Sequence, residues 1–250
     1  MNAVPAPTSH APAGAPVAVA PEPSEEVLDD ARWSSLTGAH AHLAEGNELV
    51  RRYPVDVSPF AAVRSWEDPD VWDAVVDLVG HGAEFPTPPE SVTLPAGWER
   101  LMLLDGVQLV DTDRLAARPD EEAVELGAAD VPDMLDLVER SRPGPFLPRT
   151  YLMGRYVGLR REGRLVAMAG ERLQPEGWTE ISAVTTDPAH RGQGLATRLV
   201  LDVAHHVRAR GARPMLHAAA GNVHAVRLYE RLGFRVRTHT TFGVVRTPRP

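Results

Sequence analysis

The chain has 250 residues, of which 43% are hydrophobic, enough for one large domain or two small ones with a real core. It holds 34 acidic and 26 basic residues, for a formal charge of −8, and no cysteine, which excludes a disulfide framework, a thiolate metal site and an acyl-cysteine intermediate. No apolar run approaches the ~20 residues of a membrane span, and the N-terminus lacks the basic start and apolar stretch of a signal peptide, so a soluble cytoplasmic protein is expected.

The charge is divided unevenly. Residues 1–139 hold 27 acidic residues and 7 arginines, whereas residues 140–250 hold 7 and 19; no lysine occurs. A basic half suits a polyanionic ligand, and it equally suits a simple attraction between the two halves. The arginines are dispersed and no nucleic-acid motif accompanies them, so a small ligand is favoured over nucleic acid.

In chain order, residues 1–26 are dominated by alanine and proline and are expected to be a disordered tail. Residues 27–117 read as a smaller α/β subdomain. A helix is expected from Trp33 to Ala44, and another over Asp70–Val79, where Val71, Trp72, Val75, Val76 and Val79 recur at helical spacing after Asp68-Pro69. Strands are expected at Val92–Leu94, Trp98–Leu104 and Gly106–Val110, with turns at Pro95–Gly97 and Asp105-Gly106. His40, His42 and His81 invite a metal reading, but without cysteine or a His-Glu-x-x-His pattern they read as surface or core residues, and no metal is expected.

Residues 118–250 form the second unit. Its expected order is a strand (Ala123–Leu126), a helix (Val131–Arg140) and a loop with Pro143, Pro145 and Pro148. A helical piece at Thr150–Met153 and strands Tyr156–Arg161 and Arg164–Leu173 follow. Thr179–Thr186 is then rich in β-branched residues and stops at Asp187-Pro188. Arg191-Gly192-Gln193-Gly194-Leu195-Ala196 comes next, opening a helix in which Leu195, Leu199, Val203 and Val207 share a face. A helix start leaves N–H groups unpaired, and glycines admit a ligand to them, so this is a phosphate or pyrophosphate site. A strand at Pro214–Ala219, a helix at Val223–Leu232 and one or two strands in Phe234–Arg246 close an α+β fold.

The Arg-x-x-Gly-x-Ala loop follows a strand that ends in Val-x-Thr-x-Pro. Asn222, Tyr229 and Gly233-Phe234 lie downstream at the expected distance. In these two linked motifs residues 120–245 resemble the GCN5-related N-acetyltransferase (GNAT) family, FR47-like branch. The resemblance implies the GNAT acyl-CoA N-acyltransferase fold, a mixed and mostly antiparallel sheet flanked by helices. It also implies that the N-terminal subdomain is a degenerate copy of that fold. It also implies acetyl-coenzyme A as acyl donor and an amine as acceptor.

Site roles are carried over residue by residue. The resemblance implies that Val184 and Thr186 bond the pantetheine arm through their backbone, and that the Val184 N–H polarises the acetyl carbonyl. Arg191, Gly192, Gly194, Ala196 and Thr197 would face the pyrophosphate. An alkylamine is mostly protonated at neutral pH, so a base is useful. Glu180, on the strand where the family often has a carboxylate, is that base or else an ion-pair partner of an arginine such as Arg172; His217 is the rival. Tyr229 is the general acid that protonates the leaving thiolate, or a core residue. Asn222 caps a helix and touches the cofactor.

The expected function is transfer of an acetyl group from acetyl-coenzyme A directly to a primary amine of a small molecule or peptide. The alternative is a non-catalytic module that keeps the fold as a sensor or interaction surface. The expected protein is a monomer or homodimer, with no nucleic-acid or membrane partner. Glu84, Glu90, Glu99 and Asp105 are expected to border the acceptor cleft and attract a cationic amine.

Overall fold

The computed structural model describes residues 22–250. One eight-stranded sheet organises it, in the order β4-β11-β5-β10-β9-β8-β7-β6. These strands are β4 (Glu84–Pro86), β5 (Glu99–Asp111), β6 (Val124–Leu126), β7 (Tyr156–Arg161), β8 (Arg164–Glu171), β9 (Trp178–Thr186), β10 (Arg213–Ala219) and β11 (Phe234–Arg246). Every neighbouring pair is antiparallel except β9 and β10. A separate small sheet joins β1 (Glu45–Gly46), β2 (Val50–Arg52) and β3 (Ala61–Val63).

Helices cover both faces. On one face lie α4 (Leu195–Ala209) and α5 (Val223–Leu232). Leu195, Leu199, Val200, Val203, Ala204 and Val207 of α4 pack against Val157, Leu159, Ile181 and Leu216 of the sheet. Full burial of each of the larger residues contributes about 1.5–3 kcal/mol, so the helix predicted from spacing is held by its tertiary contacts. The other face receives α1 (Ala31–Thr37), whose residues join Tyr53, Leu173, Trp178 and Met215 in a second core. α2 (Val71–Val79) closes a third core with Val50, Phe85 and Val245, and α3 (Val131–Ser141) a fourth with Tyr156 and Met168.

The domain expectations need correction. β5, from the expected N-terminal subdomain, lies inside the sheet between β11 and β10, so no structural boundary falls at residue 117. Residues 1–21 of the expected tail lie outside the described residues. Residues 22–26 belong to the folded body: Glu22 pairs with Arg213, Ser24 O accepts from the Trp178 indole, and Glu25 pairs with Arg235. A turn at Asp105-Gly106 is also absent, because β5 runs straight through it. Gly106 is needed there because the Phe242 ring lies where a Cβ would sit. Val92–Leu94 is loop, and α1 stops at Thr37 instead of Ala44.

The uneven charge is largely consumed internally. Asp111 alone engages Arg208 and Arg213, Asp120 engages Arg198, and Asp130 and Asp133 engage Arg160. Attraction between the two halves therefore accounts for much of the pattern. Glu84 and Glu99 stand opposite Arg246 at the far end of the β4-β11-β5 ribbon; Asp105 alone of the four predicted acids borders the end of β10.

Candidate active site

The site is built where the sheet's one parallel pair comes apart. β9 and β10 pair only from Trp178 opposite Arg213 to Glu180 opposite Met215. Beyond that point β9 continues through Thr186 and β10 through Ala219, with no ladder between them. The opposite edge of β9 bulges: Ser182 opposes Gly170 and Thr185 opposes Met168, and Ala183 sits in the left-handed region at φ 52°. A bulge bends its strand and sharpens the twist, which explains why β9 departs from β10 here. The gap leaves backbone groups of Ile181–Thr186 available to an added extended chain. Val184 and Thr186 are half-buried along it, and the Thr186 hydroxyl is buried without a partner among the described residues.

At the end of β9, the Asp187 carboxylate accepts from the Ala189 N–H at 2.9 Å and turns the chain toward α4. Gly192 and Gly194 then take φ values of 78° and 73°, and a Cβ on either would meet open space. Among the described residues no intramolecular acceptor serves the backbone N–H of residues 192–197; the next, on Arg198, donates to Gly194 O. Six consecutive free donors at the positive end of a fifteen-residue helix make an anion site. Arg191 is exposed beside them, and Ala196 and Thr197 are half-buried on the first turn. The residues fit a pyrophosphate at the loop and a pantetheine-like arm in the gap.

Glu180 is fully buried on the opposite face from α4 and α5. Arg172 grips it from two nitrogens, Nε to Oε2 at 2.8 Å and Nη2 to Oε1 at 2.5 Å, and His217 Nδ1 donates to Oε1 at 2.8 Å. Burial raises the pKa of this carboxyl, but the charge and hydrogen bonds of Arg172, with the contact of His217 after them, outweigh it and hold it well below the ordinary carboxylate range. A carboxylate so stabilised is a poor proton acceptor, so the expectation of Glu180 as base is corrected to its alternative, the ion pair with Arg172. Gln108 Nε2 lies 3.1 Å from His217 Nε2 and 2.9 Å from Leu28 O, while its Oε1 accepts from Arg237 at 3.0 Å. The amide thus donates to His217, which makes His217 the Nδ1–H tautomer with its lone pair on Nε2. Its side chain is 11% exposed against 0% for Glu180.

The same contacts predict an acid dependence. Because Glu180 has a depressed pKa in the fold, its stabilisation is complete above the unfolded value of 4.5 and is lost as pH falls through the folded value. Glu180→Gln leaves the Arg172 charge buried and unpaired, and is expected to lower the unfolding free energy at pH 7 by about 3 kcal/mol. Urea unfolding at pH 7 and at descending pH below 4.5 measures both effects, and the variant is expected to lose less stability across that acid window than the wild type.

Tyr229 lies on the α4–α5 face, buried against Phe234 with ring centroids 6.2 Å apart. Burial pushes its pKa up to about 12, and its hydroxyl makes no hydrogen bond with the described residues. Asn222 caps α5, its side chain accepting from the Ala225 N–H at 3.2 Å. Tyr229 and Glu180, predicted together, therefore stand on opposite faces of the sheet. Sequence reasoning missed Gln108, since a glutamine in an alternating strand carries no signal until its partners are known.

The sheet, the splayed parallel pair and the glycine loop together define an acyl-coenzyme A N-acyltransferase fold. Residues 156–243 match the family described as FR47-like protein. A protein from Novosphingobium aromaticivorans assigned to the GNAT family of acetyltransferases superimposes with a TM-score of 0.80 at 36% identity, over 88% of this chain and 98% of that one. The chain belongs to the GNAT family. A GCN5-related N-acetyltransferase from Kribbella flavida shares the fold, with a TM-score of 0.56 at 17% identity over 88% of this chain and 96% of that one. Among curated relatives, mycothiol acetyltransferase of Thermomonospora curvata is 40% identical over 75 residues, 30% of this chain and 25% of that protein. The Corynebacterium glutamicum relative of the same name is 50% identical over 58 residues, 23% of this chain and 20% of that protein. The chain thus spans about a quarter of the length of the curated relatives it matches.

Proposed function

We propose that the protein transfers an acetyl group from acetyl-coenzyme A directly to a primary amine of a small molecule or peptide. The observation that carries this reading is the junction of the two cradles: six N–H groups at residues 192–197, unpaired among the described residues, directly follow a strand whose edge is left open from Ile181. Acetyl-coenzyme A supplies a thioester-activated acetyl group. Backbone N–H groups of the loop, with Arg191, Ala196 and Thr197 beside them, receive the pyrophosphate. The edge of β9 at Val184 and Thr186 receives the pantetheine arm by strand addition. The Val184 N–H stabilises negative charge developing on the acetyl oxygen.

Two residues handle protons. Tyr229, held in the neutral form by burial, donates to the departing thiolate. His217 is oriented by Glu180 through Nδ1–H, and its Nε2 lone pair takes the proton of the amine when the Gln108 N–H gives way. Glu180 is a positioning residue in this arrangement, the part a carboxylate plays behind a histidine base.

Because the chain contains no cysteine, thiol released from coenzyme A is read without background from the protein. In an amine panel with acetyl-coenzyme A, thiol release that depends on one amine class is the expected result. Calorimetric binding of acetyl-coenzyme A with no thiol release for any amine overturns the catalytic reading and leaves a cofactor-binding module.

A further inference from the structure

β5 changes character at Gly106. From Gly106 to Asp111 the strand is buried, and from Met102 to Asp105 it is exposed. The change falls where β10 ends: Ala219 opposes Gly106, and the strand before that point keeps only β11 in its ladder. The exposed part is apolar. Met102, Leu103 and Leu104 are 50%, 40% and 46% exposed, whereas the other exposed large hydrophobics among the described residues, Val55, Val124 and Val223, stand singly. Single apolar residues on a surface are ordinary, but three in succession mark a surface with something to contact.

Strand alternation assigns these residues to faces. Val107 and Leu109 join the core under α4 and α5, and Val110 joins the core under α1. Gln108, Gly106, Leu104 and Met102 therefore share the α1 face. That is also the face of His217, whose Cα partner is Gln108. On the other side β11 supplies Phe242 opposite Leu104 and Val244 opposite Met102. Gly106 lets the Phe242 ring lean toward β10, since a Cβ there would meet that ring. The ring stands edge-on to His217 with centroids 6.0 Å apart, within the range of an aromatic contact. An apolar strip thus begins at the imidazole and continues outward along the ribbon. Leu104 lies four residues beyond Gln108, about 13 Å along the strand, and Met102 about 20 Å.

We infer that the acceptor amine carries an alkyl or arylalkyl group, which lies over Phe242 and Leu104, with Met102 beyond, while the nitrogen is at His217. The strip is continuous with the base through the Phe242 ring. Its members on β5 and β11 carry no charge, so a substituent on an amine held at His217 meets apolar surface first. This inference rests on the acetyltransferase reading above. Of the acids expected to attract a cationic amine, Asp105 falls on the opposite face and Glu99 is paired with Arg246. Chain length is therefore expected to separate acceptors where charge was expected to.

The test follows n-alkylamines from ethylamine to octylamine with acetyl-coenzyme A. In wild type kcat/KM is expected to rise with each methylene, reaching ~10²-fold from ethylamine to octylamine. Leu104→Ser is expected to reduce that ratio ~10-fold, by removing apolar surface from the strip. Leu103→Ser, on the opposite face, is expected to leave the ratio unchanged. Both positions are exposed, so neither substitution opens the core. A flat wild-type series, or a ratio that Leu104→Ser reduces no more than Leu103→Ser, overturns the inference while transfer itself stands. Binding gives a readout independent of turnover. With coenzyme A present, N-octylacetamide is expected to raise the melting temperature of wild type more than N-ethylacetamide, and to lose that advantage in Leu104→Ser. No difference between the two amides, or one that Leu104→Ser keeps, overturns the inference even if no amine is acetylated. Light scattering separates a contact between two copies of the chain: a dimer that Leu104→Ser converts to monomer, with the alkylamine series unaltered, also overturns it.

Discussion

Gly194→Asp is expected to weaken acetyl-coenzyme A binding at least ~10³-fold while the protein stays folded. Gly194 is the N-cap of α4 at φ 73°, and a Cβ there meets open space within the protein, so the side chain collides with nothing when the site is empty. Aspartate tolerates the left-handed region better than most residues, which limits the backbone strain to about 1–2 kcal/mol. The damage falls on the ligand. A carboxylate placed against a pyrophosphate about 5 Å away opposes it by roughly 3 kcal/mol per charge pair at an effective dielectric near 20. It also cancels the positive end of the helix that the six free N–H groups present. Gly194→Asn separates charge from shape, because asparagine has the same size and the same tolerance of the left-handed region. Calorimetry is expected to show a modest loss for Asn and a near-complete loss for Asp. Equal affinities for the two variants would take the pyrophosphate away from this loop.

Tyr229→Phe is expected to lower turnover by about 10²-fold or more with the Michaelis constant for acetyl-coenzyme A nearly unchanged. The ring packs against Phe234 in the main core, and phenylalanine keeps that packing. The hydroxyl holds no hydrogen bond within the described residues, so its removal strands no partner and stability is expected to change little. What is lost is a proton donor whose pKa lies at about 12 and which stays protonated across the working range. The wild-type pH–rate profile is accordingly expected to show no alkaline limb from this residue below about pH 11. Turnover that survives with an unchanged profile would make the phenol a packing residue and transfer the acid role to solvent.

These variants address a site that was partly legible beforehand. The glycine loop, the strand before it, the amphipathic helix after it and the Asn222–Gly233 segment all stand where residue pattern places them. Each of these features is local: a β-branched run, a Gly at the start of a helix, a repeat of Leu and Val every fourth residue, an Asn before a helix and a Gly after it. Local chemistry of this kind acts within one or two turns of chain, so it survives transcription into sequence.

What the sequence left open was settled by contacts between distant segments. The choice between base and ion pair for Glu180 depended on whether Arg172 and His217, eight and 37 residues away, both reached its carboxylate. The split between β9 and β10 arises from a bulge at Ala183, and no residue type announces it. The supposed subdomain boundary disappears because β5 enters the middle of the sheet between two strands from the other half of the chain. Periodicity records which side of an element is apolar, but the electrostatic state of a buried group depends on every charge within a few ångströms, and only the folded chain brings those charges together.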